Sequence, residues 1–244
     1  VSLPDSVKKI ESDAFYGCSA LENIDFPGRL DTIGMMAFYN CTSLKKLELP
    51  EGLRNIEPYA FRRCISISEV NIPASLEYIG MSAFEACSCV KKVYLVSFEE
   101  WCEIDLVSSP FYWGNAVPYI GGKAVTEITI PEGVESLNTF LLAKWTSLEK
   151  VILPDSLKII GENAFYGCIG LTEIVIPSNV TQIGSSAFSY CSGLTKIVIP
   201  DSVSEMGAGV FAYCTSLKSL PLPKNTAYIG NDMFRGCTGL EEIV

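Results

Sequence analysis

The sequence contains no histidine, and its 28 acidic residues outnumber its 18 lysines and arginines to leave a net charge of −10. Histidine is the side chain that most often performs general acid–base catalysis, and a nucleophilic serine or cysteine needs a base beside it. Nucleic acid is a poor fit as a partner, because its phosphates require a basic surface. The composition therefore predicts no catalytic residue and no nucleic-acid partner.

Long apolar runs and catalytic motifs are also missing. No run approaches the roughly 20 apolar residues of a membrane-spanning helix, and the sequence shows no signal peptide. No Gly-x-Ser-x-Gly, phosphate-binding-loop or dinucleotide fingerprint occurs, and the acidic residues between Glu99 and Asp105 fit a solvated helix face. We expect no enzyme activity, no cofactor, no metal ion and no membrane insertion.

What the sequence does contain is a repeat. Prolines recur every 23 residues, at positions 4, 27, 50 and 73 and again at 131, 154, 177, 200 and 223. Self-similarity at a fixed period of this length is the signature of a solenoid, in which each unit buries its apolar face against its neighbours. Each unit ends in an alternating apolar segment before its proline, which predicts a short strand. These strands are expected near residues 23–26, 46–49, 69–72, 150–153, 173–176 and 196–199.

The middle of each unit carries two further signals. An Ala-Phe-x-x-Cys segment, as at 187–191, has the spacing of a single helical turn. A glycine such as Gly34 or Gly184 often precedes it, which suits a tight turn with positive φ. Pro221 falls inside the last expected strand and should weaken the sheet there, because proline cannot donate to a ladder.

The repeat pattern Ile-Pro-x-x-Val-x-x-Ile-Gly-x-x-Ala-Phe-x-x-Cys-x-x-Leu-x-x-Ile-x-Ile-Pro resembles the BspA-like, or treponemal-type, leucine-rich repeat over nearly the whole chain. The resemblance implies a right-handed leucine-rich-repeat array of 23-residue units with short parallel strands and helical turns. It also implies adhesion or protein binding rather than chemistry, an extracellular or cell-surface location, and a protein or extracellular-matrix ligand. The resembling family offers no shared binding residues to carry over.

We expect one repeat domain over residues 1–244, with regular repeats at 1–95 and 131–244 and an irregular insert at 96–130. Ser97 begins a capping box with Glu100, which predicts a short helix. Gly121-Gly122 predicts a hairpin between 117–120 and 123–126. Neither end of the sequence carries the polar cap that solenoids require, so the chain is expected to be a fragment of a longer array.

Two side-chain ladders should fill the interior. Eight of the ten cysteines share one repeat position: 18, 41, 64, 87, 168, 191, 214 and 237. Their Cβ atoms should lie about 4.8 Å apart, whereas a disulfide needs about 3.8 Å. We expect all eight to be reduced and buried. The phenylalanines at 15, 38, 61, 84, 165, 188, 211 and 234 should form one continuous buried stack.

The candidate binding surface follows from strand alternation, since the residue between two inward positions must point outward. In the later repeats that residue is Ile152, Val175 or Val198, flanked by Lys150, Glu173 and Lys196. Contiguous exposed apolar residues often mark an interaction site, although β-branched residues also simply suit strands. The strip is a candidate for partner binding or for face-to-face self-association, and end-to-end self-association is the other possibility.

The irregular insert is the alternative site. It concentrates aromatic residues, which either form a pocket for a sugar or peptide or pack the insert onto the coils. These residues are Trp101, Phe111, Tyr112, Trp113 and Tyr119. Trp145 takes the cysteine position of the next unit, which favours a packing role for large rings in this region. A third hypothesis is a passive spacer in a larger surface protein.

Overall fold

The computed structural model describes residues 1–110 and 116–243. The chain divides into two compact units, residues 1–124 (unit 1) and residues 125–244 (unit 2). Each unit is a solenoid whose coils stack through parallel strands about 23 residues apart in sequence, which confirms the predicted array. Membership of both units in one domain stays a prediction.

Unit 1 contains two five-stranded sheets and one helix. The parallel sheet of two-residue strands is formed by β1 (Lys9–Ile10), β2 (Thr32–Ile33), β4 (Asn55–Ile56), β6 (Tyr78–Ile79) and β8 (Asp105–Leu106). The second sheet is formed by β3 (Lys46–Glu48), β5 (Glu69–Ile72), β7 (Lys92–Leu95), β9 (Val117–Ile120) and β10 (Lys123–Ala124). Helix α1 is Phe98–Glu103.

Unit 2 repeats this plan with shorter ladders. One face holds β12 (Ser136–Leu137), β14 (Ile159–Ile160), β16 (Gln182–Ile183) and β18 (Glu205–Met206) in a four-stranded sheet. The other face holds three pairs: β11 (Glu127–Thr129) with β13 (Lys150–Ile152), β15 (Glu173–Val175) with β17 (Lys196–Val198), and β19 (Ser219–Leu220) with β20 (Glu242–Ile243). Strand β19 stops before Pro221, as expected.

The predicted strands are confirmed within one or two residues except for the first. At 23–26 the structure has only an isolated bridge between Ser2 and Asp25. Asp25 occupies the same outward row as Glu48 of the next coil.

The Ala-Phe-x-x-Cys segments are not helical turns, and that expectation was wrong. In the second coil alternate amides donate to carbonyl oxygens of the next coil: Met36 to Pro58, Phe38 to Ala60 and Asn40 to Arg62, at 2.8–3.1 Å. The intervening amides donate three residues back along the chain. Two residues of this segment, Met36 and Asn40, adopt positive φ. The stacked coils supply backbone acceptors that an isolated helical turn would lack, and these bonds stabilise a run of tight turns instead.

The glycines before these segments serve another purpose than the one predicted. Gly34 and Gly184 do not have positive φ. A Cβ on Gly34 would lie 2.7 Å from the backbone of Glu11, and one on Gly184 would lie 2.5 Å from the amide nitrogen of Glu162. Neighbouring coils approach so closely here that only glycine fits.

Phenylalanine stacks form the core of each unit. Successive rings are nearly parallel, with centroids 4.9–5.3 Å apart from Phe15 to Phe84 and 5.0–6.1 Å apart from Phe165 to Phe234. The predicted single stack is therefore two stacks of four. Leu142 takes the phenylalanine position in the first coil of unit 2, and the end rings Phe15 and Phe234 are only half-buried.

The irregular insert contains the predicted helix and hairpin. Ser97 caps α1, and its Oγ accepts a hydrogen bond from the amide of Glu100 at 3.2 Å. Strands β9 and β10 pair antiparallel through Gly121 and Gly122, both of which have positive φ. Positive φ at both central residues is the geometry of a two-residue hairpin turn.

Candidate functional site

The predicted strip in unit 2, called here the apolar strip, consists of Ile152, Val175 and Val198. Their side chains are 43%, 66% and 41% exposed, and 66% is the highest value for any large hydrophobic residue in the described part of the chain. Val175 and Val198 are register partners in the parallel pair β15–β17. Ile152 lies on β13, which is a spatial neighbour of β15 although the two do not share a ladder. The three side chains thus form a row open to solvent.

A row of charges runs beside the apolar strip. This charged row alternates in sign along the array: Glu127, Lys150, Glu173 and Lys196. Glu127 is the register partner of Lys150, and Glu173 is the register partner of Lys196. The Lys150 Nζ lies 2.6 Å from Glu127 Oε1, and all four side chains are exposed. Of this row, sequence analysis named Lys150, Glu173 and Lys196 as flanking the strip, but it did not note that the signs alternate.

The corresponding face of unit 1 is polar. Its outward row is Glu48, Asn71, Tyr94 and Tyr119, and its charged row is Lys46, Glu69 and Lys92. A shallow depression of about 560 Å³ lies over this face. Lys92 Nζ donates to Glu69 Oε1 at 3.1 Å, and this hydrogen bond lowers the pKa of the Glu69 carboxyl. Lys92 and Glu69 are therefore paired within this face, as Lys150 and Glu127 are in unit 2.

The aromatic insert is divided between core and surface. Trp101 is 2% exposed and packs into the interior of unit 1. Tyr119 is half-buried, with its ring centroid 5.5 Å from that of Tyr94 and 5.8 Å from Lys92 Nζ. The candidates Phe111, Tyr112 and Trp113 lie outside the described residues. Trp101 presents no open face to a ligand, whereas Tyr94 and Tyr119 form an aromatic pair on the polar face of unit 1.

The cysteine ladder is more specific than a row of small apolar residues. Each interior thiol donates a hydrogen bond to a backbone carbonyl of the preceding coil, as Cys64 does to Phe38 at 3.0 Å and Cys191 to Phe165 at 3.1 Å. The acceptor is a phenylalanine carbonyl except at Cys168, which donates to Leu142. All ten cysteines lie within the described residues, and none forms a disulfide. The expectation that all eight ladder cysteines are buried was wrong at the two ends. Cys18 is exposed, and Cys237 is half-buried.

Burial makes these thiols poor nucleophiles. It raises the pKa of Cys87 and of Cys168 to about 12 in each case. The thiolate is the reactive form, so both remain protonated and inert at neutral pH. Cys87 and Cys168 are therefore structural residues of the ladder.

A second open groove, which sequence analysis did not single out, follows the four-stranded sheet of unit 2. It encloses about 830 Å³ and is lined by the outward residues of that sheet, Ser136, Ile159, Gln182 and Glu205, and by the turns that follow. The sequence feature that could have predicted this groove is the variable residue that precedes the buried isoleucine or leucine in each Val-x-x-Ile segment. Its lining is mixed in polarity. It offers hydrogen bonds but no arrangement of catalytic groups.

Among the described residues, no three histidine, cysteine or acidic side chains converge as metal ligands would. Over the same residues, no helix has the length and apolar character needed to cross a membrane.

Coils of 23 residues that stack through parallel ladders, with glycine at the close approaches and phenylalanine inside, define a leucine-rich-repeat solenoid. What such a fold offers a partner is the row of side chains that points outward from each strand.

The family follows from comparison with known proteins. The model of the BspA type leucine-rich repeat region matches residues 1–102 and 120–241, in six copies. The chain therefore belongs to this family, and it is a repeat family rather than a catalytic one. None of the curated proteins matches the chain significantly.

Solved structures share the fold. A leucine rich cell surface protein from Faecalibacterium prausnitzii A2-165 is 23% identical across all of this chain and 78% of its own, with a TM-score of 0.61. The pneumococcal vaccine antigen PcpA is 22% identical over 99% of this chain and 66% of its own, with a TM-score of 0.62. At these identities the likeness concerns the fold alone.

Proposed function

We propose that the chain is a non-enzymatic protein-interaction module of a bacterial surface or secreted protein, and that the apolar strip contacts the partner. The observation that carries this proposal is the 66% exposure of Val175 between two other exposed aliphatic residues. Exposed apolar residues in a contiguous patch are unusual on a soluble surface and often mark an interaction site. The partner class is a protein, with extracellular-matrix proteins as the first candidates.

Three further points support the proposal. The family is one of repeats, and solenoids use extended faces rather than pockets for binding. One structural neighbour is itself described as a cell surface protein, which supports an extracellular or cell-surface location here. The buried cysteines stay protonated and serve packing.

The test compares two identical substitutions. Val175→Lys places a charge in the apolar strip, whereas Val107→Lys places one at a valine of unit 1 that is also exposed, at 46%. Immobilised collagen, fibronectin and laminin serve as probes in surface plasmon resonance with the purified chain. We expect binding of the wild type to at least one probe, loss of at least tenfold in affinity for Val175→Lys, and no change for Val107→Lys.

Thermal unfolding separates a binding defect from a folding defect. Neither substitution removes a buried contact, so both melting curves should match that of the wild type. Equal binding by both variants would exclude the apolar strip as the contact surface and favour the aromatic insert as the binding site. A wild type that binds none of the three probes would contradict a matrix-protein ligand.

Carbohydrate binding at the aromatic insert is the second candidate, and the pair Tyr94–Tyr119 on the face of unit 1 favours it. Aromatic faces stack on sugar rings, and the neighbouring Asn71 and Glu48 offer polar groups. A glycan array probed with wild type, Trp113→Ala and Tyr119→Ala tests this function. Glycan signals that persist in both variants, or that never appear, would contradict carbohydrate binding at the insert. The remaining functions would then be a protein-interaction module or a passive spacer.

A further inference from the structure

The charged row beside the apolar strip has a symmetry of its own. Read along β11, β13, β15 and β17 its signs are minus, plus, minus, plus, for Glu127, Lys150, Glu173 and Lys196, and the row then continues with the neutral Ser219 and with Glu242. Reversing the order of an even, alternating row exchanges every charge for its opposite. Glu127 then faces Lys196, and Lys150 faces Glu173.

This reversal is the operation that a two-fold axis performs. When two copies meet face to face about an axis in the interface and along the strand direction, their arrays run antiparallel and like rows lie opposite each other. In such an isologous contact residue i of one copy meets residue j of the other, and j meets i. The charged row then meets the charged row with every pair opposite in sign.

The same axis brings the apolar rows together. It passes midway between β13 and β15, so Ile152 of one copy faces Val175 of the other, and Thr129 faces Val198. Face-to-face contact with parallel arrays needs an axis along the array, which reverses the strand direction. An axis through the charged row would place Glu127 on Glu127 and Lys150 on Lys150, and an axis between the two rows would place the charges on the apolar residues. Like charges held opposite each other across an interface are strongly unfavourable. The sign pattern therefore selects the antiparallel arrangement.

Unit 1 lacks this property. Its charged row has three members, Lys46, Glu69 and Lys92. A two-fold axis through the middle residue would place Glu69 of one copy opposite Glu69 of the other, and Lys46 opposite Lys92. Reversal about the gap beside it leaves Lys46 opposite Val117, the next residue of that row. No two-fold centre pairs all the charges, and the outward row there is polar rather than aliphatic.

We propose that the partner of the apolar strip is a second copy of this chain, bound face to face with the two arrays antiparallel, so that oppositely charged residues of the charged row pair across the interface. The proposal rests on the proposed function, because it uses the same strip, and it names the occupant. The four strands span only about 15 Å along the array, which is small beside a standard interface, so the dimer is of the weak, concentration-dependent kind.

Salt provides a test on the unmodified chain. Each copy carries a net charge of −10, so contact through the apolar strip alone would strengthen as salt screens the repulsion between copies. Contact through the charged row would weaken instead. Sedimentation velocity with the full chain at up to about 1 mM should show a dimer whose dissociation constant rises several-fold as salt increases from about 50 to 500 mM. A monomer throughout, or a dimer strengthened by salt, would overturn the proposal.

Charge reversal tests the pairing itself. Lys150→Glu with Lys196→Glu makes the row wholly acidic, and Glu127→Lys with Glu173→Lys makes it wholly basic. Each variant alone should be monomeric, whereas an equimolar mixture should form a heterodimer at least as tight as the wild-type dimer. Recovery on mixing also shows that both variants are folded. The matched control, Lys46→Glu with Lys92→Glu in unit 1, should dimerise like the wild type.

The remaining outcomes are equally informative. Charge-reversed variants that dimerise alone, a mixture that does not recover, or a control that loses dimerisation would each overturn the antiparallel pairing. A monomeric wild type whose Val175→Lys variant still loses matrix-protein binding would overturn this proposal and leave the proposed function standing. A dimer that weakens with salt, from a chain that binds no matrix probe, would support this proposal and contradict a matrix-protein ligand.

Discussion

Units 1 and 2 have the same interior and different faces. Both bury a stack of phenylalanines, a ladder of thiols and pairs of aliphatic residues at the same repeat positions. On the outward row of the longer strands, unit 1 presents Glu48, Asn71 and Tyr94, whereas unit 2 presents Ile152, Val175 and Val198. Inward positions must fit the neighbouring coils, whereas outward positions are less constrained by packing. The outward row is where the two units are free to differ in function.

The difference extends to the backbone. In unit 2 the amide of Ile176 donates to the carbonyl oxygen of Val198 in the next coil at 3.1 Å. In unit 1 the equivalent amide, that of Leu49, donates at 2.7 Å to the Asn71 side-chain oxygen, and the Asn71 side-chain amide donates back to the Leu49 carbonyl at 2.9 Å. Asn71 therefore stabilises its strand, whereas the exposed side chains of Val175 and Val198 cannot form such hydrogen bonds.

The largest expected effect tests whether the two interiors are equivalent. Phe38 and Phe188 are both fully buried in their stacks, so replacing either with alanine should cost about 3–5 kcal/mol of stability. Phe15 is half-buried, and Phe15→Ala should cost only about 1–2 kcal/mol. Urea unfolding followed by circular dichroism gives all three values. A loss below about 1 kcal/mol at either interior ring would contradict the stacked core.

Close approach between coils should be equally demanding in both units. Gly34→Ala and Gly184→Ala each force a Cβ against backbone atoms and should destabilise by about 1–3 kcal/mol. Gly28→Ala is the control, because a Cβ there meets nothing within 4 Å. The same urea titrations apply. If Gly28→Ala destabilised as much as the other two, helix or strand propensity rather than coil spacing would explain the glycines.

The same substitution at one repeat position should separate the two faces. Asn71→Thr removes both hydrogen bonds to Leu49 and should cost about 1–2 kcal/mol, because the buried backbone groups of Leu49 lose their partners. Val175→Thr keeps the β-branched shape at an exposed site and should change stability by less than about 0.5 kcal/mol. Equal losses in urea unfolding would show that the outward row has one role in both units.

The smallest effect concerns the thiols at alkaline pH. Above about pH 8.5 an unfolded thiol ionises, whereas burial holds the pKa of Cys168 at about 12 in the folded state. The unfolded state then binds fewer protons, so each buried thiol should lower stability by about 1.4 kcal/mol per pH unit as the pH rises from about 9 toward 11. Cys168→Ala should make the fall of stability with pH less steep by about 1.4 kcal/mol per pH unit, the contribution of one thiol proton.

The exposed end of the ladder supplies the comparison. Cys18 is solvent-exposed, so Cys18→Ala should leave the slope unchanged. Urea midpoints measured at about pH 8, 9 and 10 for the wild type and both variants give the slopes. Identical slopes for Cys168→Ala and the wild type would mean that the thiol of Cys168 ionises in the folded protein.

Much of this structure follows from the 23-residue period alone. Each outward or inward assignment needs only the alternation of a strand, and five of the six expected strands are confirmed. The cap at Ser97 and the Gly121-Gly122 turn are also confirmed, because each depends on a short local motif. Strand alternation also predicts the exposure of Val175, because its neighbours Ile174 and Ile176 are both buried in the interior.

Contacts between coils decided the rest. Gly34 is required by the backbone of Glu11, Cys64 donates to the carbonyl of Phe38, and the amide of Phe38 reaches Ala60 in the following coil. None of these partners is local, so no pattern within one repeat could predict a run of tight turns instead of a helical turn. The sequence by itself determined which side chains face inward, since burial has the period of the strand. Only the stacking of coils decided how alternate backbone amides, the thiols and charges such as Lys150 and Glu127 are paired, because those pairs join residues more than twenty positions apart.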